Sequence, residues 1–172
     1  MSGRTSANDQ LSALVAARQF GTGPATLDGS DAGTIPCLLM RMGDRWCSLR
    51  AESVREVIAM GSITPVPGQQ AHVLGVMLVH GRLVPVVDLC RLVPELKMTL
   101  TTVPGRRLVV VSMHEAEVGI AADDAKGVIH LSLPDSIAQG ALVLGDMQWN
   151  QRLVPFLDED LLLASAFDKR SS

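Results

Sequence analysis

RLVPVVD at residues 82–88 returns as RLVPFLD at residues 152–158, displaced by 70 positions, and this recurrence decides the fold. The match runs backwards, so that Gly75 meets Gly145 and Met77 meets Met147. Further upstream, a displacement of 71 aligns CLLMRMGDRWCSLRAESVREVIAM (37–60) with LVVVSMHEAEVGIAADDAKGVIHL (108–131). There Leu49 meets Ile120, Glu52 meets Asp123, and Val57-Ile58 meets Val128-Ile129. Two stretches in one order, with offsets differing by a single residue, indicate a tandem duplication of a unit of about 70 residues.

Each unit consists of short strand patterns. LLMRM and LVVVSM are β-type runs that end at the polar tips GDR and HEAE, and WCSLR and VGIAA return from them as hairpin partners. AESVREVIAM reads as a helical turn running into a strand, and the prolines and glycine of SITPVPG end it. VLGVMLVHGRLVPVVDL is a hairpin broken at His80-Gly81, matched in the second copy by a turn at Trp149-Asn150-Gln151. Pro85 and Pro155 sit inside the returning strands, which predicts a sheet edge at the same place in each half. About five short strands per unit manage their edges best by curling. The expectation is an all-β fold of two similar five-stranded barrels, intertwined halves at about 35–105 and 106–171, packed side by side over apolar faces. DEDLLLASAF predicts a short C-terminal helix, its acids leading the first turn. Residues 1–34 stand apart as a flexible extension, with a short amphipathic helix in DQLSALVAARQF and linker composition after it.

Composition narrows the function. The chain has 172 residues, 47% hydrophobic and 19% charged, with a net charge of −3. That is enough apolar content for a real core and not the balance of a disordered polyelectrolyte. Lys and Arg are scattered, aromatic residues are 3% and Tyr is absent, so neither a phosphate-binding face nor a base-stacking platform is available; no nucleic acid is expected. No run approaches the roughly 20 apolar residues of a membrane span, and no signal-peptide pattern opens the chain. Cys37, Cys47 and Cys90 lack C-x-x-C spacing, which suits a reducing compartment; direct membrane insertion is not expected, and a cytoplasmic location is.

The same sequence offers little reactive chemistry. His72, His80, His114 and His130 are dispersed, with no metal-ligand spacing, so no metal is expected. Asp123-Asp124 reads as a turn, and Asp158-Glu159-Asp160 as the start of a helix. Nucleophile-elbow and phosphate-loop patterns are lacking. No catalytic residue and no cofactor is expected, and the chain does not read as an enzyme.

VREVIAMGSITPVPGQQAHVLGVMLVHGRLVPVVDLCRL resembles the central segment of CheW-like domains, in which a V-x-E-V run precedes T-P-V-P and then G-V-x-N-L-R-G-x-V-V-P-V-V-D-L. VGIAADDAKGVIHL and RLVPFLDEDLLL resemble the family's later V-G-L-x-V-D and closing L-L-D-L runs, and the likeness covers residues 36–165. The resemblance implies two five-stranded SH3-like β-barrels around a shared interior. It implies a scaffold joining the cytoplasmic tips of methyl-accepting chemoreceptors to the regulatory domain of a CheA-type histidine kinase. It carries the receptor-facing role to Val54, Glu56, Gly75 and His80. Where the family has N-L-R-G this chain has Leu78-Val79-His80-Gly81, so the arginine that pairs with the family's glutamate is a histidine here. That departure suggests either a weaker, pH-dependent Glu56–His80 pair or the loss of this receptor contact, and Leu78 fits an apolar partner contact or, equally, the core. The alternative is an accessory module that binds only the kinase or only the receptor and modulates signalling.

Overall fold

A computed structural model describes residues 33–99 and 106–167, so the expected flexible extension and its short helix lie outside the described residues. The first hairpin of each copy, a continuous apolar run, is buried on both faces. The first copy folds as β1 (Thr34–Met42), β2 (Arg45–Arg50), a 3-10 turn (Ala51–Ser53), β3 (Val54–Ala59), β4 (Val73–Val79), β5 (Arg82–Val87), α1 (Leu89–Leu92) and a second 3-10 turn (Pro94–Leu96). The second copy follows as β6 (Arg107–Met113), β7 (Ala116–Ala122), β8 (Asp124–Ser132), β9 (Val143–Trp149), β10 (Arg152–Leu157) and α2 (Glu159–Phe167).

The strands form two five-stranded sheets, ordered β8-β1-β2-β10-β9 and β3-β6-β7-β5-β4. The displacement of 70 or 71 residues converts one order into the other. Each sheet therefore takes its first hairpin from one copy and its other three strands from the opposite copy. Alternation along β1 sends Leu38, Met40 and Met42 into a core shared between the sheets, where they meet Val109 and Val111 of β6. Cys37 and Leu39 turn to the opposite face and pack with Met147, Val154 and Phe156 inside the first sheet. Leu108 and Val110 do the same in the second sheet with Met77, Val84 and Val86. Burying each such side chain is worth about 1.5–3 kcal/mol, so the exchange of strands makes either copy alone lose much of its core.

The expected all-β architecture of two five-stranded units is borne out, with the sheets left open by backbone pairing: β8 and β9 are edges of the first, β3 and β4 of the second. Side chains bridge those edges instead. One expectation needs correction: the strands bearing Pro85 and Pro155 are interior, not edge, strands. The prolines are accommodated because the parallel ladder of β5 with β7 begins at Val86–Gly119, and that of β10 with β2 is Phe156–Ser48, each one residue after the proline. The missing N–H falls where the neighbours have already splayed apart.

The outer strands are further protected. Thr64 forms an antiparallel bridge to Val76, its N–H donating to the Val76 carbonyl at 2.8 Å and its carbonyl accepting from Val76 at 2.9 Å. In the second copy, Ala138 donates to the Leu144 carbonyl at 2.8 Å. Such straps blunt strand edges that would otherwise template association. Asp158 accepts from Leu161 N at 3.0 Å and caps α2, as the acidic run predicts. Asp123 is more than a turn residue: it is buried and accepts from Gly43 N at 2.6 Å.

Candidate functional site

β3 carries a bulge, since Val54 faces Val111 while Glu56 faces the next residue, Val110, leaving Arg55 as the extra residue. The bulge aims successive side chains anew and turns Glu56 inward, to 2% exposure. At the far edge of the same sheet the β4–β5 turn is made by His80 and Gly81, with φ of 48° and 81°, the left-handed pair of a tight hairpin. Curling of the sheet brings the two edges together. His80 Nε2 lies 2.9 Å from Glu56 Oε2, and Arg82 Nη2 donates to Glu56 Oε1 at 3.4 Å. Arg82 Nε also donates to Glu117 Oε2 at 3.1 Å, and Arg55 Nη1 to Glu117 Oε1 at 2.5 Å. The result is a ladder in which carboxylates alternate with nitrogen bases, His80–Glu56–Arg82–Glu117–Arg55, drawn from β3, β5, β7 and the turn. A carboxylate as buried as Glu56 is costly unless paired, and two donors meet that demand.

Beside this ladder the hairpin presents an apolar face. Leu78 and Leu83 are directly opposite across β4 and β5 and are 65% and 70% exposed. The pair behind them, Val76 and Pro85, is half-buried on the same face. Two leucines thus lie open side by side on a protein whose core is well filled.

The structure thus brings Glu56, His80 and Leu78 to one end of the second sheet. Val54 lies apart, half-buried against the core shared by the two sheets. Gly75 is buried under the strap: its φ is +144°, and a Cβ there would stand 2.3 Å from the Thr64 carbonyl oxygen. Arg82, Glu117, Arg55 and Leu83 were not singled out from the sequence. Arg82 and Leu83 open the repeated R-L-V-P motif, which was the available signal. Glu117 sits in a hairpin tip with nothing in its local pattern to connect it with residue 82.

The equivalent place in the second copy is chemically different. Gly127 stands for Glu56, Asn150 for His80, Trp46 for Glu117, Lys126 for Arg55 and Arg152 for Arg82. β8 bulges at the matching residue, Lys126, between Ala125 and Gly127. There the edges are bridged by Lys126, whose Nζ lies 5.9 Å from the Trp46 ring centre and 5.6 Å from that of Trp149. The two rings pack edge to face with centres 5.3 Å apart.

The thiols are set up to be inert. Burial pushes Cys37 up to about 12, with Glu159 adding to the rise, and pushes Cys90 up to about 12, with Asp88 adding to it. Burial likewise raises Cys47. A thiol held protonated is a poor nucleophile and a poor metal ligand. Among the described residues, no three His, Cys, Asp or Glu side chains are grouped as metal ligands, and no helix is long and apolar enough to cross a membrane.

Comparison with known proteins gives concordant matches. The CheW-like domain model matches residues 36–167. Protein FrzA of Myxococcus xanthus is 28% identical over 135 residues, covering 73% of this chain and 83% of that protein. Chemotaxis protein CheW of Thermotoga maritima is 27% identical over 118 residues, covering 65% of this chain and 76% of that protein. Among solved structures, the scaffolding protein TtCheW from Thermoanaerobacter tengcongensis superposes with a TM-score of 0.60 at 18% identity, covering 72% of this chain and 88% of that one.

Proposed function

The chain belongs to the CheW-like domain family, and from that premise we propose that it is a non-enzymatic adaptor that couples chemoreceptors to a CheA-type histidine kinase in a signalling array. The observation that carries the reading is the exposed Leu78–Leu83 pair on the β4–β5 hairpin, set beside the Glu56 charge ladder. Apolar contact supplies affinity, and neighbouring charges fix register and exclude wrong partners. A helix of a receptor tip, laid with its apolar face on such a strip, is the partner type that this combination suits. In this reading Glu56 and His80 shape the receptor-facing surface directly, while Val54 acts through the shared core and Gly75 through the Thr64 strap. The protein works in the cytoplasm and is recruited to membrane-associated arrays by its partners.

The test is reconstitution with two fragments, the receptor tip and the kinase regulatory domain. Co-purification of all three chains is the expected result, with Leu78→Asp or Leu83→Asp weakening assembly while leaving the fold intact. A complex with one fragment alone would replace the coupling role with that of an accessory module. The substitution of His80 for the family's arginine is the feature that favours this second reading, because it falls in the contact that the resemblance assigns to the receptor.

A further inference from the structure

The two copies treat the arginine of their R-L-V-P motif differently. In the first, Arg82 is answered by Glu117 across the splayed ends of β5 and β7. In the second, Trp46 occupies the position of Glu117, and among the described residues neither Arg152 nor its neighbour Arg45 makes an ion pair. Because backbone pairing of β10 with β2 is confined to Phe156–Ser48, the strands part beyond it. A cavity of about 490 Å³ opens between them, with Trp46, Leu96 and Met98 on one side and residues 152–155 on the other.

We propose that this wedge between β2 and β10 receives an acidic side chain from an extended segment of a partner protein, its carboxylate taking on Arg152 the place that Glu117 takes on Arg82. The internal repeat supplies the comparison: the same arginine, on the same strand, beside the same proline-induced gap, has neither of the carboxylates that Arg82 meets, Trp46 standing for Glu117 and Gly127 for Glu56. Asp44 and Asp146 also border the cavity and offset the charge of Arg45 and Arg152. A free small anion therefore gains little there. A carboxylate enters when aliphatic neighbours on its own chain pack on Trp46, Met98 and the exposed Leu153. The occupant is thus an acidic residue flanked by aliphatic ones, held by a charge-assisted hydrogen bond together with apolar contact.

The proposal rests on reading the chain as a protein-binding module, and its test is separate from that of the adaptor role. The full chain is titrated with a capped peptide containing Leu-Glu-Leu and with its Leu-Gln-Leu twin, followed by calorimetry and by the fluorescence of the two tryptophans. The glutamate peptide is expected to bind about fivefold to tenfold more tightly than its twin, the difference a charged hydrogen bond makes. Arg152→Gln, an exposed position whose change does not threaten folding, is expected to erase that difference. Arg107→Gln, an exposed arginine on β6, is expected to keep it and controls for general loss of positive charge. Equal affinity for the two peptides, a preference that survives Arg152→Gln, or displacement by acetate at matched concentration would each overturn the assignment. A ternary complex forming while the peptides fail to bind would reject the wedge and spare the adaptor. Peptide binding without a ternary complex would do the reverse.

Discussion

His80, at the tip of the β4–β5 turn, sets its Nε2 2.9 Å from Oε2 of Glu56 on β3, and so links the two edges of a sheet that backbone pairing leaves open. The family pattern has arginine at the position of His80, two residues before the place where this chain carries Arg82. Arg82 reaches the second oxygen of the same carboxylate. The guanidinium has not vanished with the substitution; it enters from the adjoining strand and is shared with Glu117.

This sharing decides what Arg82 contributes. Facing Glu56 are His80 and Arg82, and beyond Arg82 stand Glu117 and Arg55. In Arg82→Gln the buried Glu56 carboxylate depends on His80, and Glu117 on Arg55. A loss of about 1–3 kcal/mol in urea unfolding is expected, the cost of taking one donor from a buried carboxylate. Unchanged stability would assign the latch to His80 alone.

Gly75→Ala tests the strap. The added methyl would meet the Thr64 carbonyl at 2.3 Å, at a φ that side chains rarely adopt, so the strap must leave β4. The expected cost is about 3 kcal/mol or more. Because the Val76 amide donates to Thr64, its hydrogen exchange reports the event directly. Loss of protection at Val76 with little change in the shared core is expected; uniform loss across both sheets would make Gly75 a determinant of the whole fold.

The duplication, the hairpins and the closing helix were legible in the sequence because each is a local signal: a repeated string, a turn pair, an acidic cap. The partnering of strands was not. VREVIA carries no mark that it pairs with Arg107–Met113 of the other copy, because strand exchange depends on which apolar face finds which. The prolines show the limit well. Pro85 announces a missing donor, which is true, but an edge strand and a ladder that starts one residue later are identical at the level of sequence. At the candidate site, Glu56 and His80 were found from the motif. Arg82 and Glu117 required the curl of the sheet to become neighbours.

The two edge latches should differ in their response to salt. The first sheet is bridged by Lys126 over Trp46 and Trp149, the second by the five-membered charge ladder. Half-exposed ion pairs such as Arg55–Glu117 weaken as the screening length falls from about 10 Å at 0.1 M to about 3 Å at 1 M. Amide exchange in β3 and the β4–β5 turn is therefore expected to quicken between 0.1 and 1 M sodium chloride more than exchange in β8 and β9. Lys126→Ala should loosen β8 and β9 by about 0.5–1 kcal/mol. Equal salt sensitivity of the two sheets would mean that the ladder does not hold the edge.

The thiols offer a check on the shared core itself. Cys47 packs in that core, Cys37 inside the first sheet, and half-buried Cys90 against the shared core from α1. An unfolded thiol ionises near 9, while Cys37 and Cys90 in the folded chain are pushed up to about 12, mainly by burial. Between those values the folded chain keeps protons that the unfolded chain has released, so stability falls as pH rises from about 9 towards 12 and is unaffected by these groups at neutrality. Alkylation by iodoacetamide at pH 8 should accordingly be slow at all three in the native chain, with Cys90 the first to react, and fast at all three in urea. The order matters, because Cys37 and Cys47 can be reached only by parting the strands that the two copies exchange. Native labelling of either as fast as in urea would mean that the exchanged sheets open freely, and a body that opens freely could not hold Glu56 buried between its two edges.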